Sequence, residues 1–319
     1  MNVPYVYGTI SELQKNHGDE GGEPSTFAPP ALTRTSVFGN SYPPSSLSRY
    51  ILGEMDRLIT RISDFFSPGS DRLKFQKQFI KRASGKGPDT ASFRKELARE
   101  FRVIHRRVHC AHQEVELLIL AEAILNLQVP GPIVELGCFK GGSTAKLSKV
   151  AKATGRELHV FDSFEGLPPP AGKDVRHTYV SGKVKDYAAG EYRGTLDEVK
   201  SNISTWGEIS VCTFIKGFYS ESLAKVSIAP AFVFMDVDLI DSGRTCLKSL
   251  WPRLVPGGIF YTHEAGMATF LEGLLDPEWW HGNLGSCPPM LVGAGYGHGP
   301  QAKHLGYFKK SSGAAKTTV

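Results

Sequence analysis

Ile133-Val134-Glu135-Leu136-Gly137-Cys138-Phe139-Lys140-Gly141-Gly142-Ser143 is the stretch whose reading decides the fold. A short apolar run carrying one acid reads as a buried parallel strand. A glycine-rich turn then hands the chain to a helix over 143–154. Gly137 and Gly141 have no Cβ, so backbone at the turn can approach a ligand closely and take φ values closed to other residues. In an open α/β sheet such a turn lies at the carboxyl edge of the strands, where ligands bind. The same pattern also suits an ordinary strand-to-helix connection, and the neighbouring strand ends must decide between the two.

Downstream, strand and helix alternate. Strands are expected at 133–136, 157–161, 211–216, 231–235 and 258–262, and helices at 143–154, 195–205, 220–225 and 241–251, with a polar insertion over 169–194. That alternation predicts a Rossmann-like α/β fold with a mostly parallel sheet. Two short apolar runs, 290–292 and 305–308, predict a closing antiparallel hairpin. Upstream, helical spacing covers 72–82, 90–108 and 113–127, the last stopped by Val129-Pro130-Gly131-Pro132. An earlier helix starts near Leu47, capped by Ser46 or Ser48, with Ile51, Met55, Leu58, Ile59, Ile62 and Phe65 on one face. The expected organisation is a flexible segment at 1–45, a basic helical extension at 46–112, the α/β domain at 113–310 and a flexible tail at 311–319.

The composition allows one sizeable core: 319 residues, 41% hydrophobic, with a net charge of only +5. The five cysteines are scattered, odd in number and without C-x-x-C spacing, which fits reduced thiols in a cytoplasmic protein and no structural zinc. No basic-then-apolar leader opens the chain and no apolar run is long enough to span a bilayer, so no membrane role is expected. Residues 72–107 are rich in Lys and Arg, but Phe75, Phe79, Phe93, Leu97 and Phe101 alternate with them at helical spacing. Without a recognisable nucleic-acid module, the charges read as solvated faces of amphipathic helices rather than a nucleic-acid surface.

Polar groups gather at the strand ends. The second strand ends in His159-Val160-Phe161-Asp162-Ser163-Phe164-Glu165-Gly166-Leu167, and an acid there suits ribose hydroxyls, or simple capping of the next turn. Gly137 is followed by Cys138-Phe139-Lys140, so the G-x-G-x-x-G spacing of a pyrophosphate cradle is missing and a nicotinamide dehydrogenase is disfavoured. The turn suits a cofactor whose middle portion is an amino acid, such as S-adenosylmethionine. Asp236, His263 and Glu264 fall at the tips of the fourth and fifth strands. Two acids and an imidazole there make either a divalent-metal site or a hydrogen-bonded cluster with one carboxylate as general base.

Taken together, residues 134–143, Asp162-Ser163-Phe164-Glu165-Gly166-Leu167-Pro168, Met235-Asp236-Val237-Asp238-Leu239 and Pro256-Gly257-Gly258 resemble the macrocin O-methyltransferase family, class I enzymes dependent on S-adenosylmethionine. The resemblance runs over about 113–310, and the D-S-F-E-G-L-P run is its most specific part. It implies that Glu135, Gly137, Gly141 and Ser143 hold the methionine part of the cofactor, Asp162 its ribose, and that Ser163 and Phe164 flank the nucleoside. It also implies that Asp236 binds magnesium and acts on the substrate hydroxyl. The family's remaining metal ligands are two adjacent aspartates, at positions matched here by His263 and Glu264. Magnesium accepts imidazole reluctantly, so this departure implies either another metal, manganese included, or loss of the metal with His263 as the base.

The resulting expectation is O-methylation of a hydroxyl on a sugar-bearing or polyhydroxylated small molecule in natural-product or glycan biosynthesis. The catalytic groups would be Asp236 and His263, and a metal would be held by Asp236, His263 and Glu264. Trp279 and Trp280 would either stack on a sugar or anchor their own loop. The rival expectation is a non-catalytic, cofactor-binding partner protein. The N-terminal helices also offer a surface through which two copies could pair.

Overall fold

The computed structural model describes residues 69–312. The segment expected to be flexible at 1–45, the helix starting near Leu47 and the last seven residues lie outside the described residues. The elements in chain order are α1 (Gly69–Lys81), α2 (Ala91–Arg107), α3 (Glu114–Leu125), β1 (Ile133–Leu136), α4 (Gly142–Ala153), β2 (Leu158–Asp162), β3 (Arg176–Thr178), β4 (Val184–Asp186), α5 (Leu196–Trp206), β5 (Cys212–Lys216), α6 (Tyr219–Ser222), β6 (Phe232–Met235), α7 (Ile240–Leu250), β7 (Ile259–Thr262), α8 (Ala268–Leu274), α9 (Pro277–Leu284) and β8 (Gly306–Lys309).

Six strands form one sheet in the order β5-β2-β1-β6-β7-β8, with β8 alone antiparallel. Sequence order reverses between β1 and β6, and a crevice at such a switch point is where this architecture binds ligands. In register, Leu136 pairs with Phe161 and Met235, and Met235 pairs with Thr262. The residues just beyond these four therefore share one edge.

Side chains alternate between two buried faces, as a sheet covered on both sides requires. Ile133, Val160, Phe232 and Phe234 join a core with Leu97, Phe101, Ile104, Leu117 and Leu147. Val134, Phe161, Val233 and Met235 join a second core with Leu247, Leu250, Phe270 and Trp280. The described part of the basic extension thus shares the first core. Several of its cations are paired, among them Arg82 with Glu122 and Arg99 with Glu96. Arg94 departs from the expected solvated face. It is fully buried, and its guanidinium binds Asp89, Glu122 and the Phe79 carbonyl.

Two local expectations change. The polar insertion contains a small hairpin, β3 with β4, antiparallel. The closing hairpin shrinks to a single bridge between Val292 and Tyr307, because Gly293, Gly295, Gly297 and Gly299 all take positive φ and coil the intervening chain. Its second arm, β8, pairs with β7 instead. Among the described residues no helix is long and apolar enough to cross a membrane.

Candidate active site

Gly137 shows how tightly the crevice is built. It takes φ +86°, and a Cβ there would lie 2.0 Å from the Asp236 carbonyl oxygen on the adjoining strand, so only glycine fits between β1 and β6. The turn continues to Gly141, which enters α4 in the left-handed conformation and offers no side-chain cap. The first amide groups of α4 are thus left for a ligand, and Gly142 and Ser143 line the cavity. The same cavity is lined by Gly137, Cys138, Asp162, Ser163, Tyr219, Asp236, Asp238 and His263.

The expected cofactor residues divide into those that reach this cavity and those that support it. Gly137, Ser143, Asp162 and Ser163 reach it. The Asp162 carboxylate also accepts hydrogen bonds from the Cys138 and Phe139 amides, at 2.8 and 3.3 Å, and from Phe164 at 2.7 Å. Gly141 does not line it; its αL backbone lies where a Cβ would meet Val199 and Ile203 of α5. Phe164 is buried in the first core rather than flanking the cavity. Glu135 lies beneath the turn. Strand alternation turns it to the Ile133 face, fully buried, and neither carboxylate oxygen has an aligned partner. Burial pushes its carboxyl up to about 7 against the opposing Ser143 and Thr144 hydroxyls.

Across the crevice, Asp236 stands between two imidazoles. Its Oδ2 lies 2.9 Å from His112 Nε2, and its Oδ1 lies 3.3 Å from His263 Nδ1. The close His112 contact is not aligned as a hydrogen bond, and that nitrogen has no other partner. His263 Nε2 meets Glu116 Oε2 at 3.1 Å, and the same Glu116 oxygen accepts from the Gln113 amide at 2.8 Å, capping α3. Burial would raise the Asp236 carboxyl, but the flanking imidazoles outweigh it and hold the group well below the usual carboxylate range. Burial likewise opposes protonation of His112, yet Asp236 lifts its imidazole to about 9. Against the same opposition, Glu116 and Asp236 raise His263 well above its ordinary value.

Glu264, expected as a metal ligand, lines the cavity but has its carboxylate engaged by neighbouring groups. Its side chain turns inward, with Oε1 accepting from the Val237 amide at 2.6 Å and the Asp238 amide at 3.0 Å, and Oε2 bonded to the Thr262 hydroxyl. Only 1% of the residue is exposed. That clamp holds Asp238 at φ +61°, a conformation non-glycine residues adopt mainly where surrounding structure imposes it. Asp238 reaches the cavity, and its Oδ1 accepts from the Tyr187 hydroxyl at 2.9 Å. Burial, then the charges of Asp236 and Glu264, push its carboxyl up to about 8.

The donor set does not fit the magnesium that the family resemblance implies. A nitrogen from each of His112 and His263 and an oxygen of Asp236 lie within 4.8 Å of one another. Magnesium prefers an octahedral oxygen shell, and the acid expected to complete one is spent on backbone. The cofactor side does fit an amino-acid-bearing nucleoside, through the uncapped helix start beside Gly142 and Ser143 and the acid at Asp162.

Sequence reasoning missed His112, Glu116 and Asp238. His112 lies just before the Gln113–Glu116 capping pair, a signal for a helix start and not for a site. Asp238 sits two residues after Asp236, and its place in the cavity depends on the left-handed backbone. Trp280 is fully buried, donating Nε1–H to the Leu274 carbonyl at 2.7 Å, and Trp279 packs under Arg244. Neither tryptophan lines the cavity, so of the two expected roles they take the structural one.

The chain matches the family model for macrocin-O-methyltransferase (TylF) over residues 109–269, half its length. It is 32% identical over 174 residues to 8-demethyl-8-(2,3-dimethoxy-alpha-L-rhamnosyl)-tetracenomycin-C 4'-O-methyltransferase of Streptomyces olivaceus, covering 53% of this chain and 65% of that protein. It is 28% identical over 146 residues to demethyldecarbamoylnovobiocin O-methyltransferase of Streptomyces niveus, covering 43% of this chain and 53% of that protein. The chain thus spans less than two thirds of the length of these relatives. The solved structure of the O-methyltransferase NovP superposes with a TM-score of 0.50 at 20% identity, covering 75% of this chain and 99% of that one, a likeness of fold. On the family match, this chain belongs to the macrocin-O-methyltransferase (TylF) family.

Proposed function

We propose that the protein is an S-adenosylmethionine-dependent O-methyltransferase acting on a hydroxyl of a sugar-bearing or polyhydroxylated small molecule in natural-product biosynthesis. The two relatives named above are O-methyltransferases, and one is named for a rhamnosyl compound. When bound, S-adenosylmethionine supplies a methyl group already activated on its sulfonium sulfur. Gly142 and Ser143 would hold the carboxylate of its methionine part at the start of α4, and Asp162 its ribose. The chain itself must then orient the acceptor oxygen and remove its proton.

The observation that carries this reading is the pair of unlike carboxylates facing one cavity. Asp236, held between two imidazoles, stays ionised and is a poor base. Asp238 takes the proton that the hydroxyl oxygen gives up as it bonds to the methyl carbon and the carbon–sulfur bond breaks; with its carboxyl pushed up to about 8, the basic form grows as pH rises toward that value. Tyr187 fixes the orientation of Asp238 through its hydroxyl. Asp236, expected from sequence as the catalytic acid, would instead help to position the acceptor, with His263 holding Asp236 through Nδ1.

Asp238→Asn tests the assignment. Turnover with a methylatable sugar-bearing acceptor should fall by roughly 10²–10⁴-fold, the range for loss of a general base. Calorimetric affinity for S-adenosylhomocysteine should change little. Undiminished turnover in this variant would remove Asp238 from the mechanism. Tight cofactor binding with no acceptor methylated from a broad panel would favour the non-catalytic reading.

A further inference from the structure

We propose that His112, Asp236 and His263 form a two-imidazole, one-carboxylate centre for a borderline divalent cation such as manganese, iron, cobalt or zinc, and that magnesium does not occupy it. The proposal does not rest on methyl transfer, since its readout is metal binding.

Three features of the geometry carry it. The three donor atoms lie within 4.8 Å of one another, and they come from three separate elements: the segment before α3, the end of β6 and the end of β7. His112 Nε2 is buried and close to Asp236, yet out of line for a hydrogen bond to it. The nitrogen is thus buried beside the carboxylate with no hydrogen bond satisfied. Finally, the remaining nitrogen of His263 is held by a carboxylate, Glu116, which is itself only 2% exposed and anchored to the Gln113 amide. A ligating imidazole is commonly oriented through its second nitrogen by such a partner. His112 has a weaker counterpart, its Nδ1 lying 3.5 Å from Cys110 Sγ.

Two imidazoles and one carboxylate leave open positions and suit first-row transition metals or zinc, whereas an all-oxygen shell suits magnesium. Glu264 is excluded from the set because its carboxylate is committed to the Val237 and Asp238 amides and the Thr262 hydroxyl. The N-terminal part of the chain therefore contributes a ligand. That makes the segment before α3 part of the site and not merely its cover.

The test uses the full chain freed of any polyhistidine tag and stripped of metal, titrated with cobalt(II) and, separately, magnesium. One cobalt should bind with visible d–d absorption, zinc should displace it, and a large excess of magnesium should not. Glu116→Gln should weaken cobalt by about 10–100-fold, the usual effect of losing an outer partner. His112→Ala and His263→Gln should each weaken it further still, with circular dichroism confirming the fold. Glu264→Gln should retain the cobalt spectrum. Failure of the wild-type protein to bind cobalt, or equal competition by magnesium, overturns the proposal even if every variant misfolds. So does a folded His112→Ala that binds cobalt normally, or a folded Glu264→Gln that loses it.

Discussion

Glu135→Gln isolates the energetic consequence of burying an acid under the glycine turn. The wild-type carboxyl is pushed up to about 7 in the folded state from an ordinary value of 4.5. The folded state therefore holds a proton that the unfolded chain releases, so stability is greatest below the unfolded value and is lost as pH rises through the folded one. The difference between those two values corresponds to about 3 kcal/mol, most of which falls between pH 5 and 8. Glutamine cannot ionise. Any fixed cost of burying its amide is the same at every pH, so the slope of the difference between variant and wild type is the quantity to read. Urea or thermal unfolding of both proteins at half-unit steps from pH 5 to 8 should show glutamine gaining on glutamate by that amount, roughly 5–10 °C in Tm at about 2–4 °C per kcal/mol. Parallel stability curves across that range would refute the reasoning. A residue that weakens the folded state at neutral pH must be kept for another reason. Given the role under the methionine part of the cofactor that the family resemblance implies for it, the variant should also bind S-adenosylhomocysteine more weakly.

Other perturbations address the walls and the support of the site. Gly142→Ala places a Cβ 2.7 Å from both Cys110 Cβ and the His109 carbonyl oxygen. It should destabilise by about 1–3 kcal/mol and disturb turnover through the displaced His112, so an unaltered melting temperature would be contrary to the packing. Trp280→Ala empties a fully buried site and should cost about 3–5 kcal/mol in a denaturant titration. Trp279→Ala should leave the acceptor KM unchanged, since that ring packs on Arg244 outside the cavity; a several-fold rise in KM would restore it to the acceptor site.

The sheet was legible because its signal is local. Runs such as Phe232-Val233-Phe234-Met235 are apolar at every position, as a strand buried on both faces must be. The cofactor edge was legible from the same pattern, since strand ends in this architecture converge. The direction each side chain takes was not. Phe164 and Gly141 belong to the family-like motifs yet face cores, and Glu135 points below the sheet edge by simple alternation. The two tryptophans carried no directional signal at all. Arg94 stands in a basic run that reads as solvent-exposed, and only the tertiary partners Asp89 and Glu122 explain its burial.

Glu264 after β7 and the histidine ahead of α3 act on one edge of the sheet. An aspartate at 264 would be one methylene shorter than the glutamate, and that length is what carries the carboxylate to the Val237 and Asp238 amides. The inward clamp fixes Asp238 in its left-handed conformation, so the residue that leaves the expected ligand position helps to position the proposed base. The proposed nitrogen donor His112 lies in a segment tied through Gln113 and Glu116 to His263. On this account the two sites are coupled through the β6–β7 edge. Changing Glu264 should disturb Asp238 before it disturbs His112, and turnover should suffer in Glu264→Gln while cobalt binding persists. A protein in which both fell together would show that Glu264 serves the cation directly, and the inward hydrogen bonds would then be its secondary role.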